Sequence, residues 1–220
     1  VTSRTAENLF WLGRYTERAE NCVRLARVTL EALPEASPPV LRLLGELASF
    51  HRLVGPNVPG PAKAPRMFER ALVLGLAGQA RNDSAATSVA HILRSLRQCA
   101  QALRERLSPE HWKLMHEVDD HFEQHLRSVL DEGDGHPRVP DVLGVLSRAT
   151  QHLAAITGAQ TDRMTRDDGW RLLSVGRQIE RLDMLAHALA LGFEHRVHEA
   201  DDGFALLLGL FDSLITYRAQ

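Results

Sequence analysis

The pattern Gly-Arg-x-x-Glu-Arg occurs twice, at 13–18 and at 176–181, and the two copies belong to a longer common register at an offset of 163 residues (Gly13 to Gly176). Arg14 aligns with Arg177, Glu17 with Glu180, Arg18 with Arg181 and Glu20 with Asp183. The apolar positions follow: Leu12 with Val175, Ala19 with Leu182, Val23 with Ala186, Ala26 with Leu189 and Leu30 with Phe193. Apolar residues recurring in steps of three and four define one face of a helix. The chain is therefore built around two equivalent long helices. A third Glu-Arg, at Glu69 and Arg70, lacks this context, so the dipeptide alone carries little information.

The rest of the chain predicts the same class of structure. Leu, Ala, Arg and Glu dominate, whereas β-branched and aromatic runs are scarce, so helix propensity prevails and no strand is needed. The first helix is expected from Ser3 or Thr5 to about Leu33, where Pro34, Pro38 and Pro39 end it; at ~1.5 Å per residue it is roughly 45 Å long. Further helices are expected over Val40–Leu53, Pro65–Ala77, Ser84–Leu107, Pro109–Leu130, Asp141–Gly158, Asp167–Val197 and Asp202–Tyr217. Asn82, Asp83 and Ser108 are natural caps, and Gly55–Pro65 reads as an ordered loop or a tether. The fold class is all-α, a single-domain bundle of about eight helices over residues 1–220 with two long members that bear the motif.

Wound at ~100° per residue, the first helix places Leu9, Leu12, Tyr15, Ala19, Cys22, Val23, Ala26, Leu30 and Leu33 on a core stripe. Arg14, Glu17, Arg18 and Asn21 fall on another side, interleaved with Phe10, Leu25 and Val28; Gly13, Glu20, Arg24, Arg27 and Glu31 make up the stripe expected to face water. The motif of the late helix lies beside Leu173, Met184, Ala188 and Leu191, so both motifs are expected to be partly buried and hence paired. Arg14, Arg18, Arg177 and Arg181 outnumber Glu17 and Glu180 by two, and Glu7, upstream on the same flank as Arg18, is placed to remove one charge. Two readings stay open. The arginines and glutamates bridge the crossing helices, with Gly13 and Gly176 permitting close approach. Alternatively, surplus guanidinium groups take a carboxylate or phosphate. Catalysis by Glu17 or Glu180 is a third and weaker reading, because adjacent arginines favour the ionised carboxylate and no nucleophile accompanies it. Trp11 and Trp170 flank the motifs and are candidates for lining a pocket.

Other chemistry is thinner. The formal charge of −2 gives no general attraction for nucleic acid or anionic membranes, and no apolar run approaches the ~20 residues a membrane helix requires. Cys22 and Cys99 are too few for a disulfide framework and are read as reduced, which with the lack of a signal-like start makes the cytoplasm the expected location. The start at Val1 is read as a processed chain or a segment of a longer one. His111, His116, His121 and His125 share one helix, but only the last two stand a turn apart, and no zinc-protease spacing is present. The loop 131–136 lacks EF-hand spacing, and Asp167-Asp168-Gly169 serves most simply as a helix cap.

The segment Ser3-Arg4-Thr5-Ala6-Glu7-Asn8-Leu9-Phe10-Trp11-Leu12-Gly13-Arg14, continuing through Glu17-Arg18-Ala19-Glu20-Asn21, resembles the alpha-E family, as do Met164–Trp170 with Gly176-Arg177 and Glu180-Arg181, and the tail Asp212–Arg218. Where members of that family often carry Arg-Glu-Asn-Ala-Arg, this chain has Arg97-Gln98-Cys99-Ala100-Gln101, without the same charged partners. The resemblance implies a helical domain associated with circularly permuted ATP-grasp proteins, in the same chain or as a separate partner, and with transglutaminase-like proteins. ATP-grasp enzymes join a carboxylate to an amine through an acyl phosphate. The implied role is an accessory or substrate-binding domain for such an amide-bond ligase, acting on a peptide or small carboxylate. ATP and Mg would then belong to the partner, with no cofactor in this domain. An enzyme acting on a ligase-derived intermediate and a structural or dimerisation module are the alternatives. The residues this implies for a site are Glu7, Trp11, Arg14, Glu17, Arg18, Asn21, Trp170, Arg177, Glu180 and Arg181.

Overall fold

A computed structural model describes residues 2–79, 88–132, 137–213, 216, 217 and 219. Among them are eight α-helices and no strand: α1 (Ser3–Ala32), α2 (Pro38–Phe50), α3 (Pro65–Leu76), α4 (Val89–Ala102), α5 (Pro109–Glu132), α6 (Val139–Asp162), α7 (Asp168–Glu194) and α8 (Gly203–Gly209). None is long and apolar enough to cross a membrane.

The helix ends follow local chemistry. Thr2, rather than Ser3 or Thr5, caps α1 by accepting from the Thr5 N–H. Ser108 caps α5 by accepting from the His111 N–H at 3.1 Å, and Asp167 caps α7 by accepting from Trp170. Several ends differ from the sequence reading: α2 stops at Phe50 rather than Leu53, where Arg52 takes a left-handed backbone (φ 55°), and α4 stops at Ala102 rather than Leu107, followed by a short 3-10 turn over Arg104–Arg106. Helix α7 stops at Glu194 because Arg196 takes a left-handed backbone, φ 54°. Helix α6 runs through Gly158 to Asp162, since neighbours on both sides propagate it. The last helix ends at Gly209 instead of Tyr217. The expected start at Ser84 and the caps Asn82 and Asp83 lie outside the described residues, as does most of the 131–136 loop.

Helix α1 forms the centre. It packs most extensively on α7, then on α4 and α6, while α5 spans α4 and α6 from outside, and α2 closes over α1 and α7. The core stripe of α1 is buried as expected, except that Tyr15 is half-exposed. The stripe expected to face water is not exposed as a whole. Gly13 is buried and Glu20 mostly so, because α7 and α6 cover that side, and only Glu31 is fully open. The proline-rich segment after α2 is a packed loop: Leu53, Val54 and Pro61 are buried, and Pro61 lies where a side chain on Gly45 would go. Cys22 and Cys99 are free and buried, and burial pushes their thiols up to about 12 and about 11, which leaves them protonated and unreactive.

Candidate functional site: a paired arginine–glutamate cluster

The two motifs meet face to face. A Cβ built on Gly13 would overlap the Leu173 carbonyl, and one built on Gly176 would overlap the Phe10 carbonyl. Residues 10 and 173 are themselves separated by the repeat offset, so each glycine receives the other helix's backbone at the equivalent place. One turn beyond Gly13 and Gly176, Glu17 meets Arg177 and Arg181 while Glu180 meets Arg14 and Arg18, so the contacts advance together along both helices, which requires that they run in the same direction. The α1–α7 pair is thus a parallel pair with local two-fold symmetry, and the glycines allow it to close.

The charges obey the same symmetry. Glu180 accepts from Arg14 Nε at 2.5 Å and from both Nε (3.2 Å) and Nη2 of Arg18. Glu17 accepts from Arg177 Nε and Nη2 at 3.1 and 2.9 Å, and from Arg181 Nε and Nη2 at 2.8 and 3.2 Å. Each carboxylate is therefore held between two arginines, one turn apart, from the opposite helix. Glu17 is 2% exposed and Glu180 6%, so the groups are desolvated and the charge-assisted bonds replace water. Arg18 illustrates the balance: burial acts to lower its pKa, but the bond and charge of Glu180 outweigh it and hold the guanidinium above its ordinary value. The Glu17 bond does the same for Arg181.

Residues outside the motif break the symmetry. Arg14 lies over the rings of Phe10 and Trp11, at 5.8 and 5.5 Å, and Trp11 stacks on Tyr15. Arg177 instead has a third carboxylate, Glu20, at 3.7 Å, which also accepts from the Thr157 hydroxyl of α6. Burial raises the Glu20 carboxyl above its ordinary value, against the lowering pull of Thr157 and Arg177. On the Glu180 side, the end of α2 brings in His51, whose Nε2 is buried without a hydrogen-bond partner. Burial lowers its pKa, opposed by Asp183 and assisted by His187.

Eight of the ten residues implied for the site occur in or against this cluster: Trp11, Arg14, Glu17, Arg18, Arg177, Glu180 and Arg181 as above, and Asn21, whose side-chain amide approaches the Glu180 carbonyl at 3.4 Å. Two do not. Glu7 is exposed and forms no ion pair among the described residues, so the charge it was expected to offset is offset by Glu20. Trp170 donates its indole N–H to the Gln160 carbonyl at 3.0 Å and carries Arg166 over its ring, which joins α7 to α6 rather than to the cluster. Glu20 and His51 were missed. The repeat did align Glu20 with Asp183, but helical phase alone assigned it to water; nothing local in the sequence points to His51.

The cluster is saturated inside and open at its edges. Arg177 is 11% exposed along its side chain, whereas Arg18 and Arg181 are 32% and 51% exposed. With Glu20 included, four arginines face three carboxylates. Elsewhere, the rings of His121, His125 and His152 gather between α5 and α6, but among the described residues no three His, Cys, Asp or Glu side chains are placed to hold a metal ion. At the departing stretch on α4, Arg97 donates to Asp119 at 3.3 Å and to Asp120 at 2.5 Å of α5, so a charged contact persists there.

A family defined as a predicted alpha-helical domain with a conserved ER motif matches residues 1–220, and the parallel pair gives that motif a physical role. The chain belongs to the Alpha-E family. Uncharacterized proteins of Mycobacterium tuberculosis and Mycobacterium bovis are similar to it, each 26% identical over 198 residues, which covers 81% of this chain and 21% of the relative. This Alpha-E chain thus spans about a fifth of the length of the curated relatives it matches. No solved structure matches it.

Proposed function

We propose that this Alpha-E domain is the accessory module of a larger amide-bond-forming protein of the ATP-grasp type, and that the open edges of its arginine cluster hold the carboxylate of a peptide or small-molecule substrate. One observation carries the binding half of the reading: Arg18 and Arg181 each spend one side on a buried glutamate and turn another to water, beside a cluster with one positive charge in surplus. A guanidinium fixed by a buried partner loses little conformational freedom when it takes a second carboxylate, and its fork favours bidentate contact. The ligase half rests on the family resemblance and on the length of the relatives, of which this domain is a small part. ATP and Mg would bind in the ligase portion, and the acyl phosphate would form there.

The test is a titration of glycylglycine against its C-terminal amide, followed by the arginine Nε–H signals in NMR. Saturable shifts at Arg18 and Arg181 with the carboxylate alone, abolished in the double variant Arg18→Gln/Arg181→Gln, are the expected result. Equal response to both ligands, or none, removes the binding half. A purely structural reading is favoured by a different fact, the complete engagement of Glu17 and Glu180 by the chain's own arginines; it predicts that the double variant changes no ligand's behaviour.

A further inference from the structure

Helix α7 has an apolar face that no described part of the chain covers. Val175, Ile179, Leu182, Ala186, Leu189 and Phe193 recur in alternating steps of four and three along roughly 27 Å of helix, and all six are exposed, Leu182 by 65% and Phe193 by 63%. Together they present on the order of 500 Å² of contiguous apolar surface, the scale at which a patch marks an interaction site. Towards the C-terminal end of α7, Leu189 and Phe193 continue into an apolar cleft of about 270 Å³ shared with Phe204, Leu207 and Phe211.

The repeat shows what such a face is for. Its equivalents in α1, at the same offset, are Leu12, Thr16, Ala19, Val23, Ala26 and Leu30, and every one is at most 2% exposed. They lie away from α7, under α4 and α6, and Gln160 of α6 donates to Thr16 within the stripe at 2.8 Å. One half of the two-fold pair is roofed by two helices, and the other half has the matching apolar steps without the roof. We infer that the α7 face is the seat of two amphipathic helices from a further segment of a longer polypeptide, packed on α7 as α4 and α6 pack on α1. The relatives, in which this stretch is a fifth of the chain, contain ample sequence to supply them.

The composition of the face distinguishes this occupant from a second copy. A two-stranded coiled coil uses a narrow seam flanked by charged positions that set pairing. Here the flanking positions are Leu172, Gln178, Asp183, Leu185 and Ala190, of which only Asp183 is charged and Leu172 and Leu185 are half-buried; Arg171, at the N-terminal end of the stripe, pairs with Asp168. The stripe is accordingly broad, the form suited to burial beneath more than one helix.

The experiment places a photo-crosslinking benzoylphenylalanine at position 182 of the full-length natural polypeptide and maps the products by mass spectrometry. The expected product is an intramolecular cross-link to a helical segment outside residues 1–220. Cross-links joining equivalent α7 peptides of two copies, or no cross-link outside residues 1–220, overturn the inference. A second measurement uses the same polypeptide: Leu182→Glu should lower Tm by several degrees, whereas Glu194→Gln, on the same helix off the stripe, should leave it unchanged. Equal Tm for Leu182→Glu and the parent also overturns it. Neither readout depends on ligand binding by the arginine cluster or on ligase activity, so failure here and failure of the proposed function are separate results.

Discussion

Helices α1 and α7 meet through equivalent residues, yet they live in different surroundings. At the contact, Gly13 and Gly176, Glu17 and Glu180, and the four arginines exchange roles under a local two-fold axis. On the far side, α1 lies beneath α4 and α6, while the equivalent apolar face of α7 is covered by no described part of the chain. The difference teaches that a repeated motif specifies the interface it forms, because that interface is made from the motif itself. It does not specify what covers the rest of each helix, which is supplied by unrepeated sequence.

If the contact is symmetric, its largest perturbation should be equal from both sides. Gly13→Val and Gly176→Val each drive a side chain into a carbonyl of the facing helix, where the backbone must separate, and each is expected to cost about 3 kcal/mol or more in denaturant unfolding. Markedly unequal losses would break the two-fold description. Next come the carboxylates. Glu17→Ala and Glu180→Ala each strand two arginines, and a loss of about 3 kcal/mol is expected for Glu17, whose partner Arg177 is the most buried of the four. Glu180→Ala should cost less, since both Arg14 and Arg18 can turn to water.

The third comparison is between Glu20 and Asp183, equal in the repeat and unequal in burial. A carboxyl whose folded pKa is raised binds its proton more tightly in the folded state than in the unfolded one. Its contribution is therefore present at low pH and is lost as pH rises from about 4.5 through the raised value. Glu20→Gln should remove that decline in Tm-versus-pH profiles, and Asp183→Asn, at a 46% exposed side chain, should change Tm little, because an exposed carboxylate gains little over water. Smallest of all, Arg18→Gln and Arg181→Gln should each cost under about 1 kcal/mol in thermal unfolding, because partly exposed ion pairs gain little over water. A larger loss at either would show the open edge to be structural.

Much of this was legible in the chain. The offset of 163 residues identified two equivalent helices, and the apolar residues interleaved with Arg14, Glu17 and Arg18 marked the motif as buried and therefore paired. Helical phase failed where a residue's fate depended on a third element. Glu20 was assigned to water because phase describes one helix, and it is covered by α6 through Thr157. Glu7 lies on the correct flank, but it stays exposed without an ion pair among the described residues, and the first arginine of α7, Arg171, is paired with Asp168. His51 comes from α2, with no counterpart in the repeat, and only the closure of α2 over the pair brings it close to Asp183.

By itself, then, the sequence determined the helical class, the equivalence of α1 and α7 and the pairing of their charges, since periodicity and the cost of burying unpaired ions are local rules applied along the chain. Tertiary structure decided that the pair is parallel, that each glutamate takes both arginines of the opposite helix, that Glu20 rather than Glu7 joins them, and that the described elements leave the apolar face of α7 open. Those facts depend on which distant segments lie side by side, and no spacing within a single helix encodes that.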